Sequence, residues 1–100
     1  MKPALLHDDA VAELHEAAAW YEQGRPGLGA EFRRAVERAV SRVRGNPEAG
    51  ARFRASRFRY LLVRRFPYIV FFAGGRQAIR VLAVAYAGRR PGYWTRRARD

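Results

Sequence analysis

The hydrophobic period of this chain changes once, at Gly45-Asn46-Pro47, from helical spacing to dense β-branched and aromatic runs. Before that point Val11, Leu14, Ala18 and Tyr21 mark one helix, with Asp8 and Asp9 as N-cap candidates, running to about Gln23. Gly24 and Pro26 are its expected stop, glycine taking the left-handed position after the last turn. Leu28, Phe32, Ala35, Val36, Ala39, Val40 and Val43 line one face of a second helix, so the two form an antiparallel hairpin with Phe32, Val36 and Val40 toward a sheet. After Pro47, Phe58 to Val63, Phe66 to Ala73 and Ala78 to Ala85 read as a three-stranded antiparallel meander, with Gly74-Gly75 as a tight hairpin turn. Pro3 to His7 adds a short strand that its proline confines to a sheet edge or a strand start. The order is β-α-α-β-β-β, an α+β class. Because "IRVLAVA" in the last run is almost wholly apolar, its strand requires cover on much of both faces, and the helical hairpin is the available cover.

One hundred residues with 49% hydrophobic content build one core, so residues 1–100 read as a single domain. There is no cysteine, which excludes disulfides and cysteine-based zinc sites, and nothing in the sequence calls for a metal or other cofactor. No apolar run is long enough to span a membrane, and Met1 to Asp9 lacks the pattern of a secretory signal. The cytoplasm is the expected location.

Charge divides the chain in two. Residues 1–50 carry seven basic and eight acidic side chains, whereas residues 51–100 carry thirteen basic ones and a single acid, Asp100. Such asymmetry points to a polyanionic or acidic partner on the second half. Arg57, Arg59, Arg64, Arg65 and Arg80 project from a sheet whose other residues are mostly core and are expected on the face or rim away from the helices. Past the last strand, "AYAGRRPGYW" sets Tyr86, Tyr93 and Trp94 around Arg89 and Arg90, a mixture of flat anchors and forked donors suited to an anionic or acidic partner. The same aromatics could instead pin the segment to the sheet. Gly24, Gly27 and Gly29 join two helices and do not follow a strand, which makes them hairpin glycines and not a phosphate cradle.

The segments "WYEQGRPGLGAEF", "NP", "RRFPYIVFF" and "IRVLAVAYAGRRPGYW", in this order over about Asp9 to Trp94, resemble the RelE/ParE superfamily of type II toxins, in particular its ParE-like, plasmid-stabilisation branch. The resemblance implies a toxin neutralised by a cognate antitoxin with an acidic segment, with Trp20, Tyr21, Arg80 and Tyr86 as antitoxin-binding candidates. RelE-like members cleave messenger RNA on the ribosome, whereas ParE-like members inhibit DNA gyrase.

Ribonuclease chemistry requires proton-transfer groups as well as cations. His7 and His15 precede or lie on the first helix and read as solvated residues, the only lysine is Lys2, and arginine is never free to accept a proton. Tyr68 stands where the nucleases carry an arginine, and Tyr86 where many relatives carry a histidine. If the chain were a nuclease, it would be a metal-independent endoribonuclease whose candidates are Arg65, Tyr86, Arg89, Arg90 and Tyr93. The favoured expectation is gyrase inhibition through a basic surface of Arg57, Arg64, Arg65, Arg89, Arg90, Tyr93 and Trp94, and the alternative is a ribosome-dependent mRNA endonuclease.

Overall fold

The computed structural model describes all residues, 1–100. Strand β1 (Ala4–Leu6) leads into helix α1 (Asp8–Gly24) and helix α2 (Leu28–Gly45), followed by β2 (Ala51–Arg52), β3 (Phe58–Leu62), β4 (Tyr68–Ala73) and β5 (Ile79–Tyr86). Short 3-10 turns lie at Pro47–Ala49 and Thr95–Arg99. The strands form one sheet in the order β1-β5-β4-β3-β2, with β1 parallel to β5 and all other pairs antiparallel. The meander and the edge position of β1 are therefore as expected. The two-residue strand β2 is additional.

Three local expectations are corrected. The residue capping α1 is His7, whose Nδ1 accepts the Asp9 backbone N–H at 3.0 Å, while Asp8 and Asp9 lie in the first turn, where their charge suits the positive end of the dipole. At the interhelical turn the left-handed residue is Gly27, with φ of 89°, and not Gly24. Gly27 brings no capping side chain to α2; instead the Glu22 carboxylate, from the last turn of α1, accepts the N–H groups of Gly27 and Gly29. Gly29 has a second constraint, since a Cβ there would come within 2.6 Å of the Ala18 carbonyl oxygen. Lastly, β4 and β5 are joined by Gly74 to Ala78, a five-residue connection instead of a tight turn.

The helices cover one face of the sheet. Ala10, Ala17 and Ala18 of α1 and Phe32, Ala35, Val36 and Ala39 of α2 pack with Val63, Val70, Val81 and Val84, and Val40 is half-buried against them. Small residues on both helices allow this close approach. Tyr21, Phe32, Phe66 and Tyr68 lock the end of this layer through edge-on ring contacts of 4.9 to 6.1 Å.

The opposite face is also covered, although not by helices. Phe71, Ala73, Leu82, Ala83 and Ala85 form a second core around Trp94, contributed by the segment after β5. A β-bulge makes this possible: Phe71 pairs with Ala83 but Phe72 pairs with Val81, leaving Leu82 as an extra residue in β5. The alternation of β5 shifts there, so that Val81 and Val84 both join the helix-side core while Ala83 and Ala85 face Trp94.

Candidate functional site

Because β1 pairs with β5 only from Ile79 to Val81, the outer edge of β5 would be left unpaired beyond that point. The side chains of Glu13 and Arg97 take its place. Glu13 Oε1 accepts the Val84 N–H at 3.0 Å, and Arg97 Nη1 donates to the Leu82 carbonyl at the bulge, also at 3.0 Å. Arg97 in turn forms a forked pair with Glu13, 3.0 Å on each side, and the Tyr93 hydroxyl donates to Glu13 Oε2 at 2.5 Å. Arg89 completes the cluster, 3.5 Å from Glu13 Oε2 with its guanidinium 3.7 Å over the Tyr93 ring. One carboxylate, only 13% exposed, thus ties the C-terminal segment to α1 and β5.

Trp94 anchors the same segment. It is fully buried, stacked on Phe71 with ring centres 4.6 Å apart and edged by Phe53 and Phe58. Its Nε1–H has no acceptor. Trp94 is therefore core, which removes it from the target-contact residues expected from the sequence. Arg80 is half-buried and donates to the carbonyls of Arg97, Ala98 and Asp100, holding down the tail. Arg59 donates to the Gly50 carbonyl at 2.8 Å. Arg65, in a left-handed turn with φ of 74°, pairs with Glu31 of α2 at 3.0 Å, so it lies toward the helices and not away from them. That hydrogen bond holds the Glu31 carboxyl below its ordinary pKa despite an opposing effect of burial, with a further contribution from Arg25.

The arginines paired with carboxylates are Arg25, Arg65, Arg89 and Arg97. Arg52, Arg54, Arg57, Arg64 and Arg90 are exposed and have no such partner. Arg89, Arg90 and Tyr93 line a cleft of about 330 Å³ with Phe53, Tyr60 and Arg54, and Trp94 forms part of its floor. Arg57 packs its guanidinium over Phe58, which touches Trp94, whereas Arg64 and Arg65 do not line the cleft. Of the antitoxin candidates, Trp20 (68% exposed), Tyr21 and Tyr86 (51% exposed) meet in a second groove beside Glu16 and Tyr68.

Of the groups that could transfer a proton, Tyr93 and both histidines are engaged, whereas Tyr86 is exposed and lines the cleft with Arg89 and Arg90. Burial, the Glu13 hydrogen bond and the Glu13 charge together raise the Tyr93 pKa well above its ordinary value, outweighing the nearby arginines. Burial also raises Tyr68 and Tyr21. His7 is not a solvated residue as expected, since its Nε2 sits 2.6 Å from Asp100 Oδ2 and closes the tail against the start of α1. His15 Nδ1 lies 2.8 Å from Arg33. No group of three or more His, Cys, Asp or Glu side chains comes together to hold a metal ion.

The raised phenols carry a pH signature. The folded protein keeps these protons at a pH where the unfolded chain releases them, so their stabilising effect is complete below about pH 10 and is lost as the pH rises beyond it. Urea unfolding is expected to show stability falling on the order of 1 kcal/mol per pH unit in that range. Tyr93→Phe should flatten the slope, and an unchanged slope would contradict the assignment.

Glu13 and Arg97 were missed by sequence reasoning, as were Arg52, Phe53 and Arg54. Glu13 did carry a signal: it lies on the α1 stripe between Ala10 and Ala17, where an acid requires partners. A hairpin of helices thus covers one face of a mixed sheet, and a basic C-terminal segment is fastened across the other. The chain belongs to the ParE toxin family of the parDE type II toxin–antitoxin system, whose family model matches residues 4–91. Tyr93, Trp94 and Arg97 fall just beyond that match. A chain of the chromosomal ParDE toxin–antitoxin system from P. aeruginosa is similar in structure, with a TM-score of 0.74 and 18% identity over 86% of this chain and 96% of that one. Comparison with curated proteins finds no match. No helix is long and apolar enough to cross a membrane.

Proposed function

We propose that this ParE-family toxin acts in the cytoplasm by inhibiting DNA gyrase through its basic C-terminal face, and that a cognate antitoxin with an acidic segment neutralises it. The guanidinium groups of Arg57, Arg64 and Arg90, exposed without carboxylate partners, carry the reading, and Tyr93, the phenol beneath Arg89, is engaged as a donor to Glu13. Such groups can grip an acidic or anionic partner, and neither histidine lines the cleft beside Arg89 and Arg90. The antitoxin reading is supported by the groove of Trp20, Tyr21 and Tyr86, where two large aromatics stand exposed.

In cells expressing the toxin, double-strand breaks and an SOS response are expected while messenger RNA is still intact. Purified toxin should inhibit supercoiling by gyrase. Arg57→Ala combined with Arg90→Ala should raise the half-inhibitory concentration about tenfold or more, with the urea midpoint unchanged. Coexpression of the adjacent small gene should restore growth and yield a copurifying pair, and Trp20→Ala should weaken that pair. Codon-positioned cleavage of messenger RNA, lost on Tyr86→Phe or Tyr93→Phe, would overturn the gyrase reading in favour of a nuclease.

A further inference from the structure

Glu16 is an exposed carboxylate that enters no ion pair, in a protein whose net charge is +11. It lines the open groove of about 570 Å³ between α1 and the end of β5, together with Trp20, Tyr21, Tyr68 and Tyr86. Local geometry brings these groups together. Glu16 and Trp20 are four residues apart on α1 and so share a face, and the small side chain of Ala17 leaves the groove open between them. Tyr86 is held against the turn after β5, where a Cβ on Gly88 would come within 2.7 Å of its ring and the Ala87 N–H donates to the Pro67 carbonyl at 2.8 Å. From Trp20 through Tyr21 and Tyr68 to Tyr86, the rings follow one another at centre distances of 5.2, 6.1 and 5.8 Å, each turned by 64° to 78° against the next. The two ends of this row, Trp20 and Tyr86, are the exposed rings.

The uncompensated charge of the groove is that of Glu16. Glu13 and Arg89 also line it, but Asp9, Arg97, Glu13 and Arg89 form a run of contacts of 3.6, 3.0 and 3.5 Å in which two acids offset two guanidinium groups. Glu16 has no such partner. Its charge is felt inside the groove: burial and the neighbouring Tyr86 raise the Tyr68 phenol above its ordinary pKa, and Glu13 and Glu16 raise it further.

We propose that this groove takes a cationic side chain of the antitoxin, an arginine above all, its guanidinium lying on the Trp20 or Tyr86 ring with Glu16 as its ion partner. Aromatic faces attract a cation, a carboxylate beside them accepts its N–H groups, and the flat guanidinium stacks where an ammonium cannot. An acidic side chain is the wrong ligand here, because it would meet Glu16 with like charge. The acids of the same partner belong with Arg54 and Arg90 at the other cleft, so the two surfaces require opposite signs on one chain. A free oligoamine would carry several positive charges into the field of a protein of net charge +11, so the cation has to arrive on a chain that is acidic elsewhere. The identity of the occupant rests on the antitoxin reading, whereas the preference for a cation is a property of the toxin itself.

Trp94→Phe leaves Trp20 as the only tryptophan, so its emission reports on the groove. The probes are blocked alanine pentapeptides with a central arginine, its uncharged isostere citrulline, or glutamate. The arginine peptide should change Trp20 emission saturably and bind about fivefold more tightly than the citrulline peptide, and the glutamate peptide should give no saturable change. The Trp20 indole N–H resonance gives the same titration in the unsubstituted protein. Glu16→Gln should bring the arginine and citrulline peptides within about twofold of each other and leave the urea midpoint unchanged, since an exposed carboxylate without a partner contributes little to stability. Equal affinity for arginine and citrulline, tighter binding of glutamate, an arginine preference that survives Glu16→Gln, or no saturable change with arginine would each overturn the proposal. In the copurified toxin–antitoxin pair, Glu16→Gln should weaken the complex about fivefold. A pair that forms but is indifferent to Glu16→Gln overturns this inference and leaves the antitoxin reading intact, whereas an adjacent gene product that never copurifies removes that reading and, with it, the occupant named here.

Discussion

Trp94→Ala is expected to destabilise the protein by about 3–5 kcal/mol, a large part of the stability of a domain this size. The residue is fully buried between Phe53, Phe58 and Phe71, and its removal opens the second core over most of its area. The comparison with Trp94→Phe is informative, because the indole Nε1–H has no acceptor in the fold. Phenylalanine loses packing volume but also removes an unpaired buried donor, so its net effect should stay near about 1 kcal/mol. Urea unfolding followed by circular dichroism measures both. A loss below about 1 kcal/mol for the alanine variant would mean that the segment after β5 is not part of the cooperative fold. Loss of toxicity in Trp94→Ala is therefore a folding effect in this account, and not evidence of a target contact.

Glu13→Ala should have an effect of similar size, about 3 kcal/mol or more. It leaves Arg97, whose side chain is only 12% exposed, without its forked carboxylate, strips the Val84 N–H of its acceptor and frees Tyr93. Glu13→Gln retains an acceptor for the strand edge and gives up the charge, so about 1–3 kcal/mol is expected. The ordering alanine worse than glutamine tests the dual role of this side chain as ion partner and as substitute for a neighbouring strand. If the two variants are equally stable, the backbone bond to Val84 contributes nothing and the edge is solvated. Proteolysis offers a second readout: the tail after β5 should be cut faster in both variants, because its fastening depends on Glu13.

The fastening explains why the arginines differ in kind. Arg80 and Arg97 hold the tail through carbonyls and Glu13, Arg59 and Arg65 tie the sheet to Gly50 and to α2, and Arg54 and Arg90 stay free at the cleft. Sequence analysis could count thirteen basic residues after position 50 but not sort them, since each is the same side chain until its neighbours are known. The positive field was legible. Its division into structural and available charge was not.

The sequence alone determined both helices, four of the five strands and their order, because period and punctuation are local properties. The spacing of Phe32, Val36 and Val40 predicts the buried face of α2, the run "IRVLAVA" predicts a strand covered on both sides, and Pro3 predicts an edge. Each of these follows from geometry within a few residues. What covers the second face of β5, which backbone groups the short β1 leaves unpaired, and which acid meets which arginine depend on contacts across 80 or so residues, as between Glu13 and Tyr93 or Arg97. The bulge at Leu82 belongs to this second group. One extra residue reverses the facing of part of β5 and exposes a carbonyl that Arg97 takes up, and no local pattern distinguishes that from an unbroken strand. Helices and strands were set by side chains acting on their own backbone. The candidate site was set by side chains that only the packed sheet brings within reach of one another.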